Sequence, residues 1–167
     1  MIVQHKYFVE SGIVEELALK GILLEPARVF KYIYFSLPCS NSQDEVLRIK
    51  CGEQKHILDY KLRNKITGGW TKYETQVSDP EQTQLLLKQL GISVRAVLTK
   101  KFQSWKNDFL ILDLVNVNNL FTVLEAKFSV DDVERATNFT RGIGLDPEQS
   151  DPRSSIDIFL NFDTRSN

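Results

Sequence analysis

The sequence predicts an α+β fold in which an eight-stranded antiparallel β-barrel carries helices packed on its outside. The first observation is the stretch from residue 45 to residue 77, where charged and apolar side chains alternate along three consecutive predicted strands. The second is that the same alternation returns in later predicted strands, between residues 92 and 128. Side chains two residues apart on a strand point to the same face, so each strand has two distinct faces. Eight strands are enough to close a barrel wide enough for one ligand.

The bulk composition limits the classes of function. The chain has 167 residues, enough for one domain over residues 1–167, and its 42% apolar and 26% charged residues are ordinary for a globular protein. The net charge of −1 gives no overall attraction for nucleic acid, so any anion binding must come from a local arrangement. No segment approaches the roughly 18 apolar residues of a membrane span, and a signal-peptide pattern is lacking. We therefore expect a cytoplasmic protein without a membrane or nucleic-acid partner, with free thiols at Cys39 and Cys51. The sequence does not determine the oligomeric state.

The first 44 residues predict a strand, a helix and a second strand. Residues 1–9 alternate polar with apolar side chains, as a strand does. Ser11 is suited to cap a helix that ends at Gly21. Residues 27–37 are rich in aromatic and β-branched side chains, which favours a second strand before a polar turn region at residues 38–44.

The remaining elements follow from turn and cap signals. Thr67, Gly68 and Gly69 separate the last of the three central strands from the first two, and Asp79-Pro80 has the residue types that begin a helix. The further predicted elements are a helix end at Gly91, strands over 92–105, 108–117 and 120–128 with a turn at Asn118-Asn119, a helix over 129–141 capped by Ser129 and Asp132, a helix over 151–162 opened by Asp151-Pro152, and a frayed tail over 163–167.

If the polar faces of these strands enclose one space, that space collects many basic side chains. The basic set is Lys6, Arg48, Lys50, Lys61, Arg63, Lys72 and Lys100, and the acidic set that opposes it is Asp59, Glu74, Asp113 and Glu125. Clustered cations repel each other without an anion, and arginine and lysine side chains are suited to bind phosphate groups. The carboxylates could hold Mg²⁺ or Mn²⁺ through oxygen ligands.

Short motifs in a fixed order support this interpretation over nearly the whole chain. The motifs are Glu45-Val-Leu-Arg-Ile-Lys, Leu58-Asp-Tyr-Lys61, Lys72-Tyr-Glu74, Leu85-Leu-Leu-Lys-Gln-Leu-Gly91, Lys100 with Trp105, Leu112-Asp113-Leu-Val115, Leu120-Phe-Thr-Val-Leu-Glu125 and Gly142-Ile-Gly-Leu-Asp-Pro. Their order resembles the CYTH, or triphosphate tunnel, superfamily. That family includes thiamine, inorganic and RNA triphosphatases and class IV adenylyl cyclases. The resemblance implies an eight-stranded antiparallel tunnel that binds triphosphates with a divalent metal.

The resemblance also implies roles for particular residues. It implies a catalytic role for Lys6, Glu74 and Glu125, and a metal-binding role, with Mg²⁺ or Mn²⁺, for Glu74, Asp113 and Glu125. The implied phosphate-binding residues are Arg48, Lys50, Lys61, Arg63, Lys72 and Lys100. The implied partner is a small-molecule triphosphate or polyphosphate.

Two departures from the family pattern concern carboxylates that would bind the metal ion. The family opens with Glu-x-Glu-x-Lys, where this chain has Ile2, Gln4 and Lys6, and its closing Glu-x-Glu is here Val123-x-Glu125. Loss of carboxylates weakens the binding of Mg²⁺ and Mn²⁺, because these hard ions depend on anionic oxygen ligands. We therefore expect weak or absent metal binding and low turnover.

Several alternatives remain open at this level. The polar faces could be ordinary solvated sheet faces. The acidic residues Glu74 and Glu125 could form structural ion pairs with neighbouring lysines, and Asp113 could be a structural carboxylate. For function, one hypothesis is a metal-dependent enzyme that hydrolyses a triphosphate or, second, cyclises ATP. The other is a noncatalytic CYTH-like module that binds a polyphosphate or nucleotide. In either case the sequence does not identify the organic group attached to the phosphates.

Overall fold

A computed structural model describes residues 2–10, 12–38, 44–66 and 68–163 of the chain. The predicted cap at Ser11, the residues Cys39 and Thr67, and residues 164–167 of the predicted tail lie outside the described residues. Within the described ranges, the chain forms eight strands, four α-helices and two short 3₁₀-helices. The elements are β1 (Ile2–Phe8), α1 (Ile13–Leu19), β2 (Arg28–Ser36), β3 (Glu45–Cys51), β4 (His56–Arg63), β5 (Trp70–Val77), α2 (Pro80–Gln89), β6 (Ser93–Lys106), β7 (Leu110–Val117), β8 (Phe121–Ser129), α3 (Val133–Gly142) and α4 (Ser155–Asp163), with 3₁₀-helices at Val130–Asp132 and Pro147–Gln149.

The strands close into a barrel in the order β1-β5-β4-β3-β2-β6-β7-β8. This confirms the predicted α+β fold with a closed, eight-stranded antiparallel barrel. The chain also divides into two compact units. The first unit contains Met1–Arg28 and Lys101–Pro152, and the second contains Val29–Lys100 and Arg153–Asn167. The single domain over residues 1–167 stays a prediction.

In the first unit, β8 pairs with β1 on one side and with β7 on the other. Tyr7 lies opposite Leu124, which lies opposite Leu114, and all three belong to a buried apolar cluster that includes Leu17 of α1 and Ala136 of α3. Residues directly opposite one another in an antiparallel pair share a face. The other face of these strands therefore carries the alternate positions, which include Lys6, Asp113, Glu125 and Lys127.

In the second unit, β2, β3, β4 and β5 form a continuous antiparallel ladder. Ile33 lies opposite Ile49, which lies opposite Leu58, and this apolar face packs against Leu87 of α2. The alternate positions form the face away from α2. Here Tyr34 lies opposite Arg48, Arg48 opposite Asp59, and Asp59 opposite Glu74.

The predicted signals at Asn118-Asn119 and at Asp79-Pro80 are confirmed. The helix predicted over 129–141 begins only at Val133, because Ser129 caps the 3₁₀-helix Val130–Asp132 and Asp132 makes no side-chain capping bond. Asn118 and Asn119, which join β7 to β8, both have positive φ angles, of 50° and 56°, as the tight turns of hairpins require. The Asp79 carboxylate accepts hydrogen bonds from the backbone N–H groups of Glu81 and Gln82, each at 2.9 Å, and so caps α2. Since α2 begins with Pro80, both predicted signals act at this position.

The prediction for the last helix is wrong at its start. The helix begins at Ser155, and the Ser154 hydroxyl accepts a hydrogen bond from the backbone N–H of Asp157 at 3.2 Å. Asp151 instead donates its backbone N–H to the carbonyl of Lys6 at 2.7 Å. The side-chain cap of the helix is therefore Ser154, three residues after Asp151, although Asp-Pro is a common helix start. No helix among the described residues has the length and apolar character needed to cross a membrane.

Candidate functional site

Arg48 is held in a fixed position on the face of the second unit that lies away from α2. Its Nε donates to Asp59 Oδ1 at 2.9 Å and to Oδ2 at 3.1 Å, and its Nη2 donates to Oδ2 at 3.1 Å. Its Nη1 donates to the Tyr34 hydroxyl at 3.2 Å. A guanidinium has five N–H donors, so these bonds leave one N–H on each Nη atom for another acceptor.

Lys100 of β6 joins the same group through two aromatic rings. Its Nζ lies 5.0 Å from the ring centre of Tyr32 and 5.5 Å from that of Tyr34. Arg48 Cζ lies 4.7 Å and 5.8 Å from the same two ring centres. Two cations thus share two tyrosine rings, each attracted by the electron density of the ring faces. We call Tyr32, Tyr34, Arg48, Asp59 and Lys100 the Arg48 group.

The Arg48 group carries more positive than negative charge. Lys100 is only 3% exposed, and within the described part of the chain no carboxylate forms an ion pair with it. Burial alone would raise the pKa of Tyr34, but the positive charges of Lys100 and Arg48 outweigh burial and lower it below its usual value of about 10. For Arg48, burial opposes the charged form, but the phenol of Tyr34 and the carboxylate of Asp59 raise its pKa. The surroundings of this group therefore favour an added negative charge.

Four other predicted phosphate-binding residues lie on the same ladder as the Arg48 group. Lys61 of β4 lies directly opposite Lys72 of β5. This pair lies two positions along the strands from the pair of Asp59 and Glu74. The Nζ of Lys50 lies 3.9 Å from the ring centre of Phe30. Arg63 of β4, next to these positions, has its Cζ 5.9 Å from the ring centre of Trp70.

Glu74, a predicted catalytic and metal-binding residue, lies opposite Asp59 but has a different partner. Its carboxylate forms an ion pair with Lys72, two residues away on β5. The two side chains are 53% and 39% exposed, so solvent weakens this attraction. The structural ion pair weighed for Glu74 from the sequence is therefore present.

The first unit holds a second charged group, centred on Lys127 of β8. Lys127 Nζ lies 2.6 Å from Asp113 Oδ2 and 2.9 Å from Glu125 Oε2. The other Asp113 oxygen, Oδ1, accepts a hydrogen bond from Ser104 at 2.5 Å. Burial would lower the pKa of Lys127, but the carboxylates of Glu125 and Asp113 outweigh burial and raise it. We call Ser104, Asp113, Glu125 and Lys127 the Lys127 group.

Lys6, the third predicted catalytic residue, lies beside this group. It is 5% exposed and stands directly opposite Glu125 in the pairing of β1 with β8. Gln4, where the family carries a glutamate, stands opposite Lys127. The chain therefore has a neutral amide at this position in place of a carboxylate.

The residues of the Lys127 group do not fit a divalent cation as they stand. The Lys127 ammonium occupies the space between the two carboxylates, and a positive charge there would repel Mg²⁺ or Mn²⁺. Among the described residues, no three His, Cys, Asp or Glu side chains come together in a way that could hold a metal ion. The metal-binding role of Glu74, Asp113 and Glu125 stays a prediction, and the contacts of Lys127 weigh against it for Asp113 and Glu125.

Sequence reasoning missed two kinds of residue in these groups. Tyr32 and Tyr34 were absent from the predicted site because β2 is aromatic and reads as core, although they lie opposite Lys50 and Arg48. Ser104 was also missed. Its signal is weak, because one serine four residues after Lys100 on the same strand face is common on any strand.

The fold is shared with several solved structures. No protein-family model and no curated protein sequence matches the chain. The PH1012 protein from Pyrococcus horikoshii is 21% identical, with a TM-score of 0.80 over 94% of this chain and 98% of its own. A candidate adenylate cyclase from Vibrio parahaemolyticus is 14% identical, with a TM-score of 0.75 over 95% of this chain and 97% of its own.

A third similar structure is described by an activity. It is a candidate adenylyl cyclase from Hippeastrum with a dominant triphosphatase activity, 16% identical, with a TM-score of 0.66 over 96% of each chain. At these identities the likeness shows the fold. The CYTH-like fold that the motifs predict is thus confirmed, while the activities belong to the proteins so described.

Proposed function

We propose that this chain is a CYTH-like protein that binds a triphosphate or polyphosphate compound through the Arg48 group. The observation that carries the proposal is the buried ammonium of Lys100, which has tyrosine partners but no carboxylate partner within the described residues. A buried charge without an opposite charge is costly, and ring faces offset that cost only in part. A phosphate oxygen beside Lys100 would supply the missing negative charge.

The geometry of Arg48 supports the same proposal. Asp59 and Tyr34 fix the guanidinium before any ligand arrives, so little side-chain entropy is lost when a ligand binds. The N–H groups that remain on the Nη atoms are suited to charge-assisted hydrogen bonds with a phosphate. Lys61 and Lys72, on the same ladder, would extend the positive surface along a chain of phosphates.

For catalysis, the support is weaker than for binding. Glu74 is paired with Lys72, and Glu125 is paired with Lys127, so two of the three candidate catalytic residues already have cationic partners. We therefore propose binding as the main function and triphosphate hydrolysis as a low activity. A noncatalytic module and a class IV-type adenylyl cyclase remain the alternatives. Assays of phosphate release and of cyclic AMP formation, with Mg²⁺ and with Mn²⁺, separate the three.

Replacing Lys100 with an uncharged side chain tests the proposal. Lys100→Met should weaken tripolyphosphate binding by about tenfold or more, since a hydrogen bond to a charged group contributes roughly 1.5–3 kcal/mol. Isothermal titration calorimetry measures this loss. The melting temperature of the variant should stay the same or rise, because an apolar side chain replaces a buried charge.

The matched control is Lys101→Met. Lys101 is the next residue on β6, is exposed and points to the opposite face of the strand. Its replacement removes the same charge and should leave tripolyphosphate binding within about twofold of the unmodified chain. Equal losses in both variants, or no binding by the unmodified chain, would contradict the proposal.

A further inference from the structure

We infer that the ammonium of Lys127 takes the place of a divalent cation in this chain, so that Asp113 and Glu125 form a cation site that the protein fills with its own side chain. The inference does not rest on the proposed anion binding, because it concerns the first unit alone. It explains how two buried carboxylates are stabilised in a chain that lacks other acidic residues of the family pattern.

The contacts of Lys127 are those expected of a bound cation. Its Nζ bridges carboxylate oxygens from two neighbouring strands, Asp113 of β7 and Glu125 of β8, at 2.6 and 2.9 Å. These distances are typical of strong, charge-assisted hydrogen bonds. Ser104 holds the second oxygen of Asp113, so both oxygens of that carboxylate are already engaged.

The charges of the surrounding ladder also balance without a metal ion. Asp113 and Glu125 supply two negative charges, and Lys127 and Lys6 supply two positive charges on the same face. Lys6, Asp113 and Glu125 are each less than a tenth exposed, so their charges are poorly screened by water. A divalent ion added to this balanced set would leave an excess of two positive charges in a buried region.

The neighbouring positions reinforce this balance. Gln4 and Ile111 are the residues directly opposite Lys127 in the two ladders that β8 forms. Neither side chain carries a charge, so the pairing partners of Lys127 supply no further anionic ligand. Mg²⁺ and Mn²⁺ need several oxygen ligands at close range. Here the Lys127 ammonium already binds an oxygen of Asp113 and an oxygen of Glu125.

The test is whether removal of the Lys127 charge creates a metal site. Lys127→Met removes the ammonium from between the two carboxylates and should bind Mn²⁺ at least about tenfold more tightly than the unmodified chain, as followed by the paramagnetic resonance signal of free Mn²⁺. Mn²⁺ should raise the melting temperature of Lys127→Met and leave that of the unmodified chain unchanged, because a ligand stabilises only the state that binds it. Adding Asp113→Asn to Lys127→Met should abolish the gain.

Two further variants complete the test. Lys106→Met removes an exposed lysine from β6 of the same unit and should gain no Mn²⁺ affinity. Lys127→Met removes the cation that two buried carboxylates share and could fail to fold, so Lys127→Gln, which retains a hydrogen-bond donor, provides a second uncharged variant. The inference is overturned if the unmodified chain binds Mn²⁺ in a manner that Asp113→Asn removes, or if folded uncharged variants gain no affinity.

Discussion

Among single residues, Tyr34 reports the charge of the candidate site most directly. Its hydroxyl accepts a hydrogen bond from Arg48, and its ring lies beside Lys100. The positive charges of both residues lower its pKa although burial acts in the opposite direction. The alternation of side chains predicted Arg48 and Lys100, because charged residues at every second position are visible in a sequence. It could not predict the tyrosines, because four consecutive residues of β2, from Tyr32 to Phe35, are buried and neither face of the strand looks polar.

The pH dependence of stability gives a test at this scale. The pKa of Tyr34 is lower in the folded chain than in the unfolded chain, so above the unfolded value of about 10 its ionisation contributes fully to stability. That contribution is lost as the pH falls through the folded pKa. The free energy of unfolding of the unmodified chain, relative to Tyr34→Phe, should therefore rise as the pH approaches 10 from neutral.

Chemical denaturation at a series of pH values measures this difference. Tyr7→Phe is the control, because burial raises the pKa of Tyr7 and its contribution has the opposite sign. A stability difference between the unmodified chain and Tyr34→Phe that is constant or falls with pH would contradict the charge distribution described for the Arg48 group.

At the scale of elements, strands and their faces were predictable, whereas some helix starts were not. Strands β3 and β4 have the predicted period of two, since one face of each contributes to an apolar cluster and the other carries the charges. In β5, residues 72–76 are exposed on both faces, and only Val77 joins that cluster. The start of α4 was mispredicted because Ser154 provides the cap in place of Asp151, whose backbone N–H bonds to Lys6, far away in sequence. No local signal in a sequence announces such a contact, and the Asp-Pro pair looked like a cap.

Two helix caps with the same residue type allow a matched comparison. Asp79 accepts two backbone hydrogen bonds at the start of α2, whereas Asp132 at the start of α3 makes no side-chain capping bond. Asp79→Ala should lower the free energy of unfolding by about 1 kcal/mol. Asp132→Ala should cost less, because only the helix dipole remains, at about 0.3–1 kcal/mol for an exposed charge. Thermal and urea unfolding measure both free energies. A larger loss of unfolding free energy in Asp132→Ala than in Asp79→Ala would contradict this prediction.

At the scale of the whole molecule, the barrel was predictable but the pairing of its strands was not. Eight alternating strands indicate closure, yet the pairing of β1 with β8 joins the two ends of the strand series. Such pairings depend on register over long sequence separations, which single-sequence patterns do not encode. The absence of carboxylates at Ile2, Gln4 and Val123 is visible in the sequence, and the weak metal binding expected from it stays a prediction. The bridging position of the Lys127 ammonium depends on side-chain conformation and needed the structure.

The central claim is that the Arg48 group binds phosphate, and a crystal structure of the chain with tripolyphosphate tests it most directly. We expect a phosphate oxygen within hydrogen-bond distance, about 2.7–3.2 Å, of Lys100 Nζ and of a guanidinium nitrogen of Arg48. The Arg48 bonds to Asp59 should remain, because they orient the guanidinium before binding. Tripolyphosphate bound only at exposed lysines, with no phosphate oxygen within hydrogen-bond distance of Lys100 Nζ, would contradict the claim.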